Sequence, residues 1–170
     1  MKVYLATDHT GIQVKDKVFK MLLETGYSVE DCGAYEVDPN DDYPDFISKA
    51  AAEVAKDPAV NKGIIFGGSG QGEAIVANKF KGVRCALFYT TALPKQTVNI
   101  EGDESNNPYE MLLLTREHND ANMLSIGMRF VTEEEVIKAV SLWLKASGPT
   151  AERHLRRIEK IKKIEEQNNV

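Results

Sequence analysis

The stretch Lys62-Gly63-Ile64-Ile65-Phe66-Gly67-Gly68-Ser69-Gly70-Gln71-Gly72-Glu73-Ala74-Ile75-Val76-Ala77-Asn78-Lys79 decides how the chain is read. An apolar run stops in four glycines and a serine, and a helix-like segment follows. Glu73 sits where that helix would begin. Glycines let backbone N–H groups approach a ligand closely, and a helix start favours an anion. The turn is therefore a candidate cradle for a phosphate or oxyanion, and Glu73 a candidate general base. The plainer alternatives are a tight strand-to-helix turn capped by Ser69, and a first-turn acid placed by the helix dipole. No Gly-Lys-Ser/Thr follows the turn, and its spacing departs from Gly-x-Gly-x-x-Gly, so neither a P-loop nor a dinucleotide fingerprint is present.

Outward from this unit, apolar runs alternate with amphipathic segments. Strands are expected at Val3–Thr7, Tyr27–Cys32, Gly63–Phe66, Arg84–Tyr89 and Met123–Gly127. Helices are expected over Gly11–Glu24, Phe46–Lys56, from about Glu73, through Arg116 and His118, over Thr132–Ala146, and over about 150–167. In the first helix Val14, Val18, Met21 and Leu22 share one face, with the lysines on the other. Thr132 reads as an N-cap followed by acids. This alternation predicts an α/β fold, a five-stranded parallel sheet with helices on both faces. Residues 1–170 read as a single domain, interrupted by a turn-rich loop over about 92–112.

Bulk properties narrow the function. With 21 basic and 26 acidic residues, the 170-residue chain carries a net charge of −5, which argues against general nucleic-acid binding. No apolar run is long enough for a membrane span. Cys32 and Cys85 lie in apolar stretches and read as reduced core residues of a cytoplasmic protein. No Cys/His cluster has metal-ligand spacing, so no metal and no cofactor are expected.

In parallel sheets ligands bind at the carboxyl ends of the strands. That rule nominates Asp8 and His9, Tyr43, the turn from Gly67 to Glu73, and Arg129. His118 adds a second group able to move protons near neutral pH. Arg153 and Arg157, four residues apart on one helix face, form a candidate phosphate clamp. A C-terminal helix reaching back, or across to a partner subunit, would deliver them to the sheet end. The plain reading of that pair is a solvated helix face.

The ordered set Asp8-His9-x-Gly11, Asp42-Tyr43-Pro44, Gly67-Gly68-Ser69-Gly70-Gln71-Gly72-Glu73, Ala77-Asn78-Lys79, Arg116 to Asn122, Gly127-x-Arg129 and Arg153-His154-x-x-Arg157 resembles ribose-5-phosphate isomerase type B, of the family that includes galactose-6-phosphate isomerase. The resemblance implies a flavodoxin-like, Rossmann-like three-layer fold. It also implies a homodimer, or a tetramer built from it, with active sites shared between subunits. The implied chemistry is metal-free aldose–ketose isomerisation of a sugar phosphate through an enediolate. It assigns His9, Arg129, Arg153 and Arg157 to the phosphate, and Asp8, Tyr43 and Asn119 to the sugar. It assigns His118 to ring opening, and Ser69 with the amides of Gly68, Gly70 and Gly72 to an anion hole. Many members carry a catalytic Cys where this chain has Gly67; a second branch uses a Glu in the glycine turn, and Glu73 matches it. The loop after the fourth strand is longer than the family's, near where substrate would bind. It leaves open a six-carbon substrate, allose 6-phosphate or galactose 6-phosphate, in place of ribose 5-phosphate. A sugar-phosphate-binding protein without turnover is the alternative from another class.

Overall fold

The computed structural model describes residues 1–168. Five strands, β1 (Lys2–Thr7), β2 (Ser28–Asp31), β3 (Lys62–Gly67), β4 (Cys85–Phe88) and β5 (Met123–Gly127), form one parallel sheet in the order β2-β1-β3-β5-β4. The helices are α1 (Ile12–Glu24), α2 (Pro44–Lys56), α3 (Gln71–Ala77), α4 (Glu110–Glu117), α5 (Glu133–Lys145) and α6 (Glu152–Asn168). The expected α/β architecture is observed. The last two strands are exchanged relative to the simple flavodoxin order, in which the fifth strand lies outermost.

Crossover handedness explains which face each helix covers. Parallel connections are right-handed, so reversing direction along the sheet moves the connecting helix to the other face. The steps β1 to β2 and β4 to β5 run one way, and α1 and α4 lie on one face with α5. The steps β2 to β3 and β3 to β4 run the other way, and α2 and α3 cover the opposite face. Alternation along the strands serves both layers. Leu5, Ile64, Phe66, Leu124 and Ile126 meet Val18, Leu22, Val140 and Trp143. Tyr4, Ala6, Ile65 and Met123 meet Ile47, Ala50, Val54 and Ala77. Each fully buried large side chain contributes about 1.5–3 kcal/mol of transfer free energy.

One face assignment needs correction. Lys15 is completely buried, not on an exposed lysine face. Its Nζ donates to both carboxylate oxygens of Asp31 and to the Ala34 carbonyl at 2.8 Å, tying α1 to the end of β2. The buried ammonium is paired and fully hydrogen-bonded, which is what makes its burial tolerable. Thr132 caps α5 in a capping box with Glu135, as its sequence suggests.

Residues 89–109 contain no helix or strand, and the end of the expected 92–112 loop is the first turn of α4. The loop leaves the carboxyl end of β4 but does not stay there. Its tip, folded by Val98 N–H donating to the Asp103 carbonyl at 2.8 Å, reaches α6, where Glu101 pairs with Arg153 at 3.1 Å. The first loop residue, Tyr89, stays at the carboxyl end against Phe130, while the tip lies at α6.

Candidate active site

The glycine turn joins β3 to α3 at the carboxyl end of the sheet. Gly70 adopts φ +74°, a left-handed conformation suited to glycine, and immediately precedes α3. The turn is held from β5: Ser125 Oγ donates to the Gly70 carbonyl at 2.7 Å, and the N–H groups of Met128 and Arg129 donate to the Gly67 and Gly68 carbonyls. This anchoring requires β5 to lie beside β3, which the strand order provides. Ser69 Oγ accepts from Gln71 N–H at 3.3 Å, one residue ahead of the true N-cap. The first amides of α3 have no intrahelical partner.

Glu73 occupies the first turn of α3 and is 4 % exposed. Burial pushes its carboxyl above the usual carboxylate range, and the charge of Asp8 adds to the push; a hydrogen bond from its own backbone N–H opposes them. A raised carboxyl is a better base near neutral pH. Three neighbours stand close because the turn lacks side chains. The Glu73 carboxyl fills the space beside Gly67. The Arg129 guanidinium lies over Gly68, 3.1 Å from where a Cβ would stand. The Tyr43 hydroxyl, at the start of α2, lies over Gly72 at 2.6 Å by the same measure.

Asp8 and His9 follow β1. The buried Asp8 accepts from the backbone N–H and hydroxyl of Thr10. His9 Nδ1 lies 2.6 Å from Asp41 Oδ1, and this hydrogen bond raises the imidazole above its ordinary value. Asp8, His9 and Asp41 place one polar atom each within 4.8 Å of one another. Asp41 is absent from the motif reading; its only sequence signal is the acidic turn before Tyr43. Asp8, His9, Tyr43, Gly68, Ser69, Gly70, Gly72, Glu73 and Arg129 thus lie at one end of the sheet.

His118 and Asn119 do not join them within the protomer. They end α4 and precede β5, which puts them at the amino edge, roughly 17 Å away along a five-residue strand. The periodicity around Arg116 locates the helix but not the edge it points to; in a parallel sheet, a helix that runs back ends at the amino side. Much of the Arg116–Asn122 motif is structural. Arg116 donates to Asp120 Oδ1 and the Ala121 carbonyl, and Asn122 bridges Arg84 N–H, the Pro58 carbonyl and the Gly82 carbonyl.

The arginines of α6 also lie at the amino edge. Glu165 accepts from Gly82 N–H at 3.2 Å, fixing α6 there, so the helix does not reach back to Glu73. Near its start, the His118 and His154 rings stack with centroids 4.1 Å apart and an interplanar angle of 11°. Arg153 Nε donates to His154 Nε2. Burial, with His118 and the arginines beside it, pushes the His154 imidazole below its ordinary value. A pocket of about 350 Å³ opens here, lined by Asn99, Glu101, His118 and Arg153 among others. Arg157 is exposed.

Neither thiol is placed as a base. Cys32 is buried and pushed up to about 11, and Cys85, on the edge strand, is pushed higher still by burial. Among the described residues, no helix is long and apolar enough to cross a membrane.

A family model described as Ribose/Galactose Isomerase matches residues 3–102 and 107–161. The chain belongs to this family. Among its relatives is "Ribose-5-phosphate isomerase B" of Mycobacterium tuberculosis, 37 % identical over 165 residues, covering 97 % of this chain and 90 % of the relative. The solved ribose-5-phosphate isomerase B from Mycoplasma genitalium, with bound ribulose-5-phosphate, has a TM-score of 0.84 at 36 % identity, covering 97 % of this chain and 96 % of that one. The Clostridium thermocellum enzyme gives 0.82 at 33 % identity, with 99 % of both chains covered. Between residues 3 and 161 only 103–106, in the long loop, fall outside the family match.

Proposed function

We propose that the chain is a single-domain ribose-5-phosphate isomerase that interconverts ribose 5-phosphate and ribulose 5-phosphate, with Glu73 as the general base. The observation that carries this reading is a buried carboxyl, raised by its surroundings, inside a glycine turn at the carboxyl end of the sheet. Its relatives' names supply the substrate.

In the open-chain aldose, Glu73 removes the proton from C2 as the C1 carbonyl becomes the enediolate oxygen. The same carboxyl returns that proton to C1, while a proton passes between the two oxygens. Ser69 and the amides of the turn stabilise the developing oxyanion; each such donor is worth about two to three orders of magnitude in rate. His9 and Arg129 hold the phosphate, Asp8 and Tyr43 the sugar hydroxyls. His118 opens the furanose ring, and Asn119, Arg153 and Arg157 complete the site from a second subunit. The opposed positions of Glu73 and His118 support this sharing, because one protomer presents two half-sites at opposite edges. Exposed Leu155, Ile161 and Ile164 on α6 give a second copy an apolar face to cover.

Turnover of ribose 5-phosphate by Glu73→Gln is the deciding assay. A loss of about 10²- to 10⁴-fold in kcat is expected for removal of a general base; activity within a few-fold of wild type refutes the assignment. The loop tip beside His118 favours a second reading, a six-carbon substrate. Comparing kcat/KM for ribose 5-phosphate, allose 6-phosphate and galactose 6-phosphate separates the two.

A further inference from the structure

We infer that Asp41 is a positioning residue, which orients His9 and commits it to binding an anion only as the imidazolium. The inference rests on the reading of His9 as a phosphate ligand. The two residues are 32 positions apart and come from different layers: His9 from the turn after β1, Asp41 from the turn before α2. Their side chains meet at 2.6 Å, Nδ1 to Oδ1. The Asp41 side chain is 8 % exposed and that of His9 31 %, so the carboxylate is the buried anchor and the ring the open end. Asp41 Oδ2 is buried and has no hydrogen-bond partner among the described residues. Asp8 turns its Oδ1 to Thr10, and the carboxylate bonded to the ring is that of Asp41.

The tautomer follows from the pairing. A carboxylate accepts only, so Nδ1 must carry a proton. Neutral His9 would then present a lone pair at Nε2, which repels a phosphate oxygen. Only the cation donates from both nitrogens. Asp41, bonded to the ring, favours that cation first, and the negative charges of Asp8 and Asp38 add to it. Affinity for the phosphate should therefore fall as pH rises through the His9 titration. The chemistry at Glu73 should be unaffected.

The chain has three histidines, so imidazole NMR signals can be assigned by loss of one set in His9→Gln. In the wild type, His9 should titrate above an ordinary histidine. Asp41→Asn keeps an acceptor but removes the charge. In that variant His9 should titrate lower, KM for the sugar phosphate near pH 7 should rise about threefold or more, and kcat should hold within about twofold. Asp42→Asn, which removes an exposed neighbouring carboxylate, should leave the His9 titration in place. An unmoved titration in Asp41→Asn overturns the inference, as does an equal loss in kcat and KM terms with no change in pH profile. A shifted titration with unchanged KM also overturns it, by taking His9 out of the phosphate's path while the Glu73 reading stands. Should Asp41→Asn not fold, ¹⁵N shifts of wild-type His9 decide: a neutral form protonated at Nε2 refutes the pairing.

Discussion

The Glu73 carboxyl fills the volume that any side chain on Gly67 would need. A Cβ built on Gly67 overlaps the Glu73 carboxyl group. The two positions therefore offer alternative places for one reactive group, a side chain from the strand end or one from the helix start, but not both. Gly67→Ala should displace the carboxyl and cost on the order of 10²-fold in activity, the scale of an ångström-level misplacement. It should also destabilise the fold by about 1–3 kcal/mol through overpacking. Adding Glu73→Ala should recover the stability without recovering activity. Urea melts and turnover of the two single variants and the double variant measure that coupling.

The burial of Glu73 has a stability consequence with a definite sign. Its folded-state titration is raised, so folding favours the protonated form. That contribution is fully present below the unfolded value, about 4.3, and is lost as pH rises through the raised folded value. At neutral pH the ionised carboxylate is a burden on the fold. Glu73→Gln should be more heat-stable than wild type at pH 7, and the advantage should vanish below about pH 4. Each kcal/mol would appear as about 2–4 °C in Tm for a chain of this size. Equal Tm values at pH 7 would show that the carboxylate is solvated in the native state.

Placement of Glu73 and His118 at opposite edges makes a complementation test possible. Glu73→Gln and His118→Asn should each be nearly inactive alone. Mixed after co-refolding at equal amounts, they should regain about a quarter of wild-type activity. Random two-fold pairing makes half the dimers mixed, and each mixed dimer holds one intact site. No recovery, with mixed dimers verified by mass spectrometry, would place both groups in one protomer's site.

The pair between Glu101 and Arg153 should compete with a substrate phosphate for the same guanidinium. Glu101→Gln should then lower KM for the sugar phosphate by about two- to fivefold, since an exposed pair is weak and solvent-screened. Tm should scarcely change. An unchanged KM would remove Arg153 from the phosphate's surroundings.

Much of the layout was legible because local pattern and burial agree. Met123 to Gly127 is apolar apart from Ser125, is bounded by polar turns, and forms the strand over the expected residues. The groups after β1 and β3 were legible from the strand-end rule alone. Lys15 was not, because its partner Asp31 ends β2, and only the tertiary fold shows that an acceptor awaits the α1 lysine. Asp41 was hidden in the same way: nothing in an acidic turn says which histidine it will meet. His118 was legible as a helix end but not as an edge, because a motif carries no information about which rim of the sheet it occupies. His154 lies in a motif that gives it no role, since stacking of two rings 36 residues apart is a property of packing.

The exchange of β4 and β5 separates the glycine turn from the exit of the long loop. With β5 beside β3, the glycine turn and the Arg129 segment form a pinned block at the middle of the sheet. β4 is pushed to the margin, and Tyr89, just after it, packs beside Gly127 and Phe130 before the loop runs outward. Loop-closure entropy rises only slowly with length, so added residues there cost little in folding. Residues 89–109 are thus a segment where added length costs the fold little. In this architecture the segment most tolerant of added length and the glycine turn belong to different strands.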